Sequence, residues 1–174
     1  MKKLLFVVLT ALIFTFSVEL SGILTSEAQE NSVGSEENEP LATFVVTKTA
    51  DTNDGVCNSD CSLREAIDAA NAAASDDVIQ FDPVVFATAQ TLTLPFGNLK
   101  ISNNGILTIN GPGANLLTLD GQFNSRILAV TTAGATVTIN GIRFIRGNGA
   151  NSGEPFFTGG GAIYNNGSNL TINS

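Results

Sequence analysis

Histidine and tryptophan are missing from this 174-residue chain; tyrosine and methionine occur once each, and cysteine only twice. Without histidine there is no imidazole base, no Ser-His-Asp triad and no His-containing zinc site. Two cysteines cannot fill a four-thiolate metal site. Charge is sparse, at 14% of residues, and sums to −8, a balance that disfavours neutralising nucleic-acid phosphates. What remains is rich in Gly, Asn, Thr and Ser, which suits many short strands joined by tight turns rather than a helical bundle. The length suits one modest domain.

The longest apolar run lies at the start. Two lysines, Lys2 and Lys3, precede Leu4 to Phe16, and Ser26-Glu27-Ala28 places small residues at −3 and −1 of a cut before Gln29. This is the layout of a secretory signal peptide over residues 1–28. The alternative is an uncleaved anchor reaching Leu24, although the apolar core is short against the roughly 20 residues of a stable span. No spanning segment is expected in the mature chain. Residues 29–41 read as a disordered acidic linker. Acid is unevenly placed: Gln29 to Gly97 carries a net −10, and Asn98 to Ser174 a net +2.

Residues 42–82 form the first structural stretch. Thr43 to Thr47 is β-branched and aromatic, a strand pattern. An Asp/Asn/Gly loop follows, containing Cys57 and Cys61. Ser62-Leu63-Arg64-Glu65 fits a capping box, with Ser62 and Glu65 satisfying orphan amides at a helix start. Leu63, Ala66, Ile67, Ala70 and Ala74 then make an apolar stripe, ended at Asp76-Asp77.

Over residues 83–174 the period falls to two. Leu107 to Gly111 (LTING), Val137 to Gly141 (VTING) and Leu170 to Ser174 (LTINS) begin 30 and then 33 positions apart. Each turns aliphatics to one side and Thr to the other before an Asn turn. Strands between them sort into three columns: 106–109, 136–139 and 169–172; 116–119 and 142–145; 127–130 and 162–164. An earlier turn uses 78–81, 91–94 and 99–101. Repetition at this period predicts a solenoid, here an all-β, right-handed parallel β-helix of about three to four coils with an N-terminal strand and amphipathic helix as its cap. A hairpin-built sandwich stays open, because Asn-Gly is also a hairpin signal. A β-helix cut at Ser174 would be incomplete, a fragment with an uncapped last coil open to end-to-end self-association.

Two stretches resemble known families. Cys61-Ser-Leu-Arg-Glu-Ala66, with Asp51 to Gly55, Cys57 and Ala69-Ala-Asn71 around it, resembles the signature of the bacterial CSLREA domain. Gly159-Gly-Gly-Ala-Ile-Tyr-Asn-Asn166 is similar to the GGAI-type repeat of chlamydial polymorphic outer membrane proteins. The partner motif Phe-x-x-Asn is matched only loosely, since Phe144 to Asn148 is one residue too long. The resemblance implies a secreted or surface-exposed (outer-membrane) parallel β-helix with the strand–helix unit as its cap.

Several side chains are candidates for chemistry. Cys57 and Cys61 are expected as a disulfide in an exported protein; a redox or metal-binding pair is the rival. Asp51, Asn53, Asp54, Gly55 and Asp60 could ring calcium or shape the loop through Asx-turns. No other cofactor is expected. Asn110, Asn140 and Asn173 are placed to form a ladder, and Asn166 and Asn169 begin chance matches to N-x-S/T. Acidic-polysaccharide cleavage needs paired carboxylates or an acidic metal cluster, whereas residues 98–174 offer only Asp120 and Glu154, with Arg126, Arg143 and Arg146 as bases. The sequence thus predicts an extracellular or cell-surface adhesin or scaffold without catalytic residues, meeting a polysaccharide or a neighbouring cell's surface protein. A β-helical polysaccharide lyase or glycoside hydrolase fragment is the alternative.

Overall fold

The computed structural model describes residues 41–73, 75–103, 105–150 and 160–174. The predicted signal peptide, most of the acidic linker and Glu154 lie outside them. The described residues belong to one unit, Glu37–Ser174.

The described residues are mostly β, with eleven strands and one helix. In order these are β1 (Ala42–Val46), α1 (Leu63–Ala72), β2 (Asp77–Phe81), β3 (Gln90–Thr93), β4 (Leu99–Ile101), β5 (Ile106–Asn110), β6 (Leu117–Asp120), β7 (Leu128–Val130), β8 (Thr136–Asn140), β9 (Arg143–Ile145), β10 (Ile163–Asn165) and β11 (Asn169–Asn173). They make three sheets, ordered β1-β2-β5-β8-β11, β3-β6-β9 and β4-β7-β10. From β2 onward the chain visits the three sheets in the same rotation, and every strand pair is parallel. Parallel pairing removes the hairpin alternative, whose strands would run antiparallel.

Register explains the repeats. Leu107 pairs with Val137 and Ile109 with Ile139, and β11 continues with Leu170 beside Val137. The alternation of apolar and polar residues therefore stacks like on like: Leu107, Ile109, Val137 and Ile139 are buried, while Thr108 and Thr138 lie on the other side of the pleat. Each buried aliphatic contributes about 1.5–3 kcal/mol. The Asn-Gly corners stack too. A Cβ on Gly111 would come within 2.5 Å of the Gly141 carbonyl oxygen, so only glycine lets one strand approach the next there.

Two boundaries move from the sequence expectation. The helix ends at Ala72, with Ala73 as its extended C-cap, and Asp77 opens β2 instead of closing the helix. A polyalanine tail has helix propensity, but Asp77 is claimed by the sheet, where it pairs with Ala42 and Leu107. β6 runs one residue later than the expected 116–119, so Asp120 is its last residue rather than lying just past it. α1 packs against β1, β2 and β4. Its stripe, Leu63, Ala66, Ile67 and Ala70, is buried in the same core as the strands.

Candidate functional site

Two polar clusters stand out, and they behave differently. The first is built by Cys61 to Ala66. Cys57 and Cys61 are joined as a disulfide. The Ser62 hydroxyl oxygen accepts from the Glu65 amide at 3.1 Å, and Glu65 Oε2 accepts from the Ser62 amide at 2.7 Å, which closes the capping box. Glu65 Oε1 takes two further donors, the Thr52 hydroxyl and the Asp54 amide, both at 3.1 Å. Arg64 clamps Asp51 with Nε and Nη2 at 2.8 and 2.9 Å, and donates onward to the carbonyls of Gly97 and Asn98. Leu63 and Ala66 are core. Cys61, Ser62, Arg64 and Glu65 thus hold the 51–60 loop to the helix, and Arg64 extends the hold to the β3–β4 turn. Burial pushes the Glu65 carboxyl upward, but the Ser62 and Asp54 amides, the Thr52 hydroxyl and the Lys48 ammonium outweigh it and hold the group below its ordinary value.

The loop residues that could have ringed calcium or made Asx-turns take partners within the chain. Asp51 is held by Arg64, and Asp60 pairs with Lys48 at 3.1 Å. Asn53 Oδ1 accepts from the Gly55 amide and Asp54 Oδ1 from the Val56 amide, which are Asx-turns, and Asn53 Nδ2 donates to Asp68. Gly55 takes φ +90° at the bend. Among the described residues no three His, Cys, Asp or Glu side chains gather as a metal site.

The second cluster lies where β6 leads toward β7, and it brings together two of the residues considered for catalysis. Asp120 is wholly buried. Its Oδ1 accepts from the Gln122 amide at 2.9 Å and from Arg146 Nε at 2.8 Å, and Oδ2 accepts from Arg146 Nη2. The Arg146 hydrogen bond holds the carboxyl below its usual range against the opposing effect of burial, so it stays ionised and is no proton donor near neutrality. Next comes the turn Gly121–Asn124, closed by the Asn124 amide donating to the Gly121 carbonyl at 2.8 Å. Gln122 and Phe123 have φ +51° and +61°, and Arg146, across the ladder, has φ +53°. Gly121 is obligatory there, because a Cβ would meet the Arg146 and Ser125 carbonyl oxygens at 2.8 Å. The Arg146 guanidinium lies 6.0 Å from the Phe123 ring centroid.

The other expected residues are separate from this pair. Arg126 is buried, donates from Nε to the Gly160 carbonyl at 2.9 Å and lies 5.2 Å over the Tyr164 ring. Arg143 is exposed on β9. The asparagine ladder forms: Asn140 donates to Asn110 and Asn173 to Asn140, each at 2.8 Å. Asn166 Nδ2 donates to the Thr131 carbonyl, and Asn169 opens β11.

Some elements had signals that went unread. Asp82 accepts from the Val84 and Val85 amides and starts a turn that drives Phe86 into the core, edge-on to Phe81 at 5.0 Å. The Asp-Pro dipeptide at 82–83, an N-cap followed by proline at the first turn position, announced it. Asn71 grips β4 with both amide atoms, donating to the Lys100 carbonyl and accepting from the Ser102 amide. Asn103 joins the Ala70 carbonyl to Asp77. Neither asparagine had a local pattern to mark it. The positive-φ pair at Gln122-Phe123 had none either, since Gly or Asn is the usual occupant.

The chain matches no family model, no curated protein and no solved structure.

Proposed function

We propose that this chain is an exported module of the cell surface or extracellular space that works by adhesion or as a scaffold, without catalysis. In this reading the three sheets are the faces of a right-handed parallel β-helix. The fixed rotation through the sheets supports it, and right-handedness is the chirality of about 98% of parallel crossovers. β1 and α1 act as its N-terminal cap: the helix stripe is buried against β1, β2 and β4, where bare aliphatics would otherwise meet water. Residues 1–28 direct export, and the similarity of Cys61 to Ala66 to the CSLREA signature favours the same setting.

The observation that carries the functional reading is the outward side of β5, β8 and β11. Thr108, Thr138 and Thr171 align in one file, and Asn110, Asn140 and Asn173 in the next, their amides linked. None of the three strands carries a charge. Repeated neutral hydrogen-bonding groups on a stiff sheet suit holding a partner, and supply no acid, base or nucleophile poised for turnover. Asp120, the one carboxylate described beyond residue 97, is sealed by Arg146.

The full chain, produced in an exporting cell, is expected to begin at Gln29 and to be cut by protease added to intact cells. Incubated with pectin, alginate and neutral glucans, it is expected to release neither unsaturated nor reducing sugars. Sugar release that disappears in Asp120→Ala would replace this reading with a polysaccharide lyase or hydrolase.

A further inference from the structure

We infer that the corner formed by Phe96, Phe123 and Arg146, together with Arg143 at the start of the adjoining strand β9, is a docking site for an acidic, uronate-bearing polysaccharide. Gln122, Phe123 and Arg146 are the three non-glycine residues of positive φ among the described residues, and all three sit at this corner. Left-handed backbone is costly for a residue with a Cβ, and such strain gathers at ligand clamps and switch sites. Here the strained turn holds the Phe123 ring outward, 63% exposed, instead of letting it reach the core. The turn after β3 sets a phenylalanine at the same place, without positive φ at Phe96. Thr93 pairs with Asp120, and Phe96, third past Thr93 as Phe123 is third past Asp120, is 69% exposed. Its turn, Leu94–Gly97, is closed by the Gly97 amide on the Leu94 carbonyl. Two phenyl rings thus leave matching turns on successive strands, the kind of anchor that dominates binding surfaces.

Charge selects the partner. Beyond residue 97 the described acid, Asp120, is buried, while Lys100 and Arg143 are exposed and the Arg146 side chain is 49% exposed. Residues 41–97 instead show Asp54, Asp60, Asp68 and Asp76 to solvent. An anionic polymer is therefore drawn to the Arg143 side of the corner and held off the acidic 51–60 loop, which Arg64 ties to the Gly97 and Asn98 carbonyls beside Phe96. The Arg143 guanidinium is the one to take a carboxylate through paired N–H donors, since Arg146 turns Nε and Nη2 to Asp120, and phenyl faces take the apolar faces of pyranose rings. A uronic acid carries both features in one residue. Exposed Thr91 and Thr93 on the neighbouring strand offer hydroxyls to its ring oxygens.

This inference rests on the adhesive reading, and its test separates the two. Binding of the full chain to polygalacturonate is compared with fully methyl-esterified polygalacturonate and with dextran, for the wild type, Phe123→Gly, Phe96→Ala and Arg143→Gln. Glycine is at ease at φ +61°, so Phe123→Gly removes the ring while the turn remains foldable. The expected result is roughly tenfold weaker binding for Phe123→Gly and for the methyl ester, about threefold for Arg143→Gln, and salt-sensitive affinity. Equal binding of all three polymers, or unchanged polygalacturonate binding by the three variants, overturns the docking site. If the wild type adheres to cells but not to polygalacturonate, the polysaccharide assignment falls and the adhesive reading survives. If it adheres to neither, both fall.

Discussion

The clasp around Cys61 to Ala66 and the corner around Asp120 to Arg146 are both built from buried carboxylates paired with arginine or lysine, yet they put those groups to opposite use. In the clasp the backbone is relaxed and the polar atoms turn inward: Glu65 takes three hydrogen-bond donors and an ammonium, and Arg64 joins a carboxylate and two carbonyls. At the corner the same kind of pair props up strained backbone and pushes a phenyl ring into solvent. The conspicuous hexapeptide is therefore architecture, and the inconspicuous Gly-Gln-Phe-Asn turn is the better place to look for contact with another molecule. A motif dense in charged and capping residues is what a buried, fully satisfied joint requires.

Glu65→Ala tests the clasp most severely. It leaves the amides of Ser62 and Asp54 without their carboxylate and strands Lys48 beside the gap, a change worth about 3–5 kcal/mol. Against a total stability of about 5–15 kcal/mol, thermal unfolding followed by circular dichroism is expected to drop by ten degrees or more. Below the lowered midpoint, polymer binding at the corner is expected to be unchanged. A melting temperature within a degree or two of the wild type would show that the loop does not depend on this carboxylate.

Gln122→Gly probes the corner, with a smaller effect and the opposite sign. Relief of a left-handed glutamine returns about 1–2 kcal/mol, and the greater freedom of glycine in the unfolded chain takes back about 0.4–1 kcal/mol. The net expectation in urea unfolding is a gain of up to about 1.6 kcal/mol, together with weaker polygalacturonate binding because Phe123 is less firmly held. A loss of stability would mean that the turn is not strained, and the contrast with the clasp would disappear.

Most of the strand plan was legible because it depends on a short-range pattern. Leu107-Thr-Ile-Asn and its two echoes alternate with period two and recur at near-constant spacing, so both the inward face and the parallel register could be read before any coordinates. The helix start was legible for the same reason: Ser62 and Glu65 act within one turn. What escaped reading depends on partners far along the chain. Asp120 looks like any acid beside a glycine until Arg146, 26 residues later, is folded onto it. Asn71 and Asn103 reach across about 30 residues. Residues 51–60 left Asx-turns and a calcium loop both open because the two draw on the same side chains, and the placement of Arg64, Lys48 and Asp68 distinguishes them here.

Acid titration sets the two regions against a third group and gives the smallest expected effect. Glu65 and Asp120 have carboxyls held below their ordinary values in the folded chain. Their stabilisation is complete above the unfolded carboxyl range, about pH 4, and is lost as pH falls through the lower folded values. Asp77 runs the other way. Burial first, and then the neighbouring Asp76 charge, raises it, while Ser75 and Asn103 donate against that trend. Its ionised form is a liability at neutral pH, and the liability disappears as pH falls through its raised value. The wild-type chain is therefore expected to gain slightly in stability just above the ordinary carboxyl range before losing it below pH 4 or so. Asp77→Asn keeps one oxygen to accept from Ser75 or Asn103 and removes the charge. Its stability at neutral pH should stay within about 1 kcal/mol of the wild type, with the slight acid-side gain abolished and the loss below it intact. Urea midpoints measured across that range would expose an error: if the gain persists in Asp77→Asn, some other buried group carries it, and the joint at Asn103 contributes nothing to the pH response.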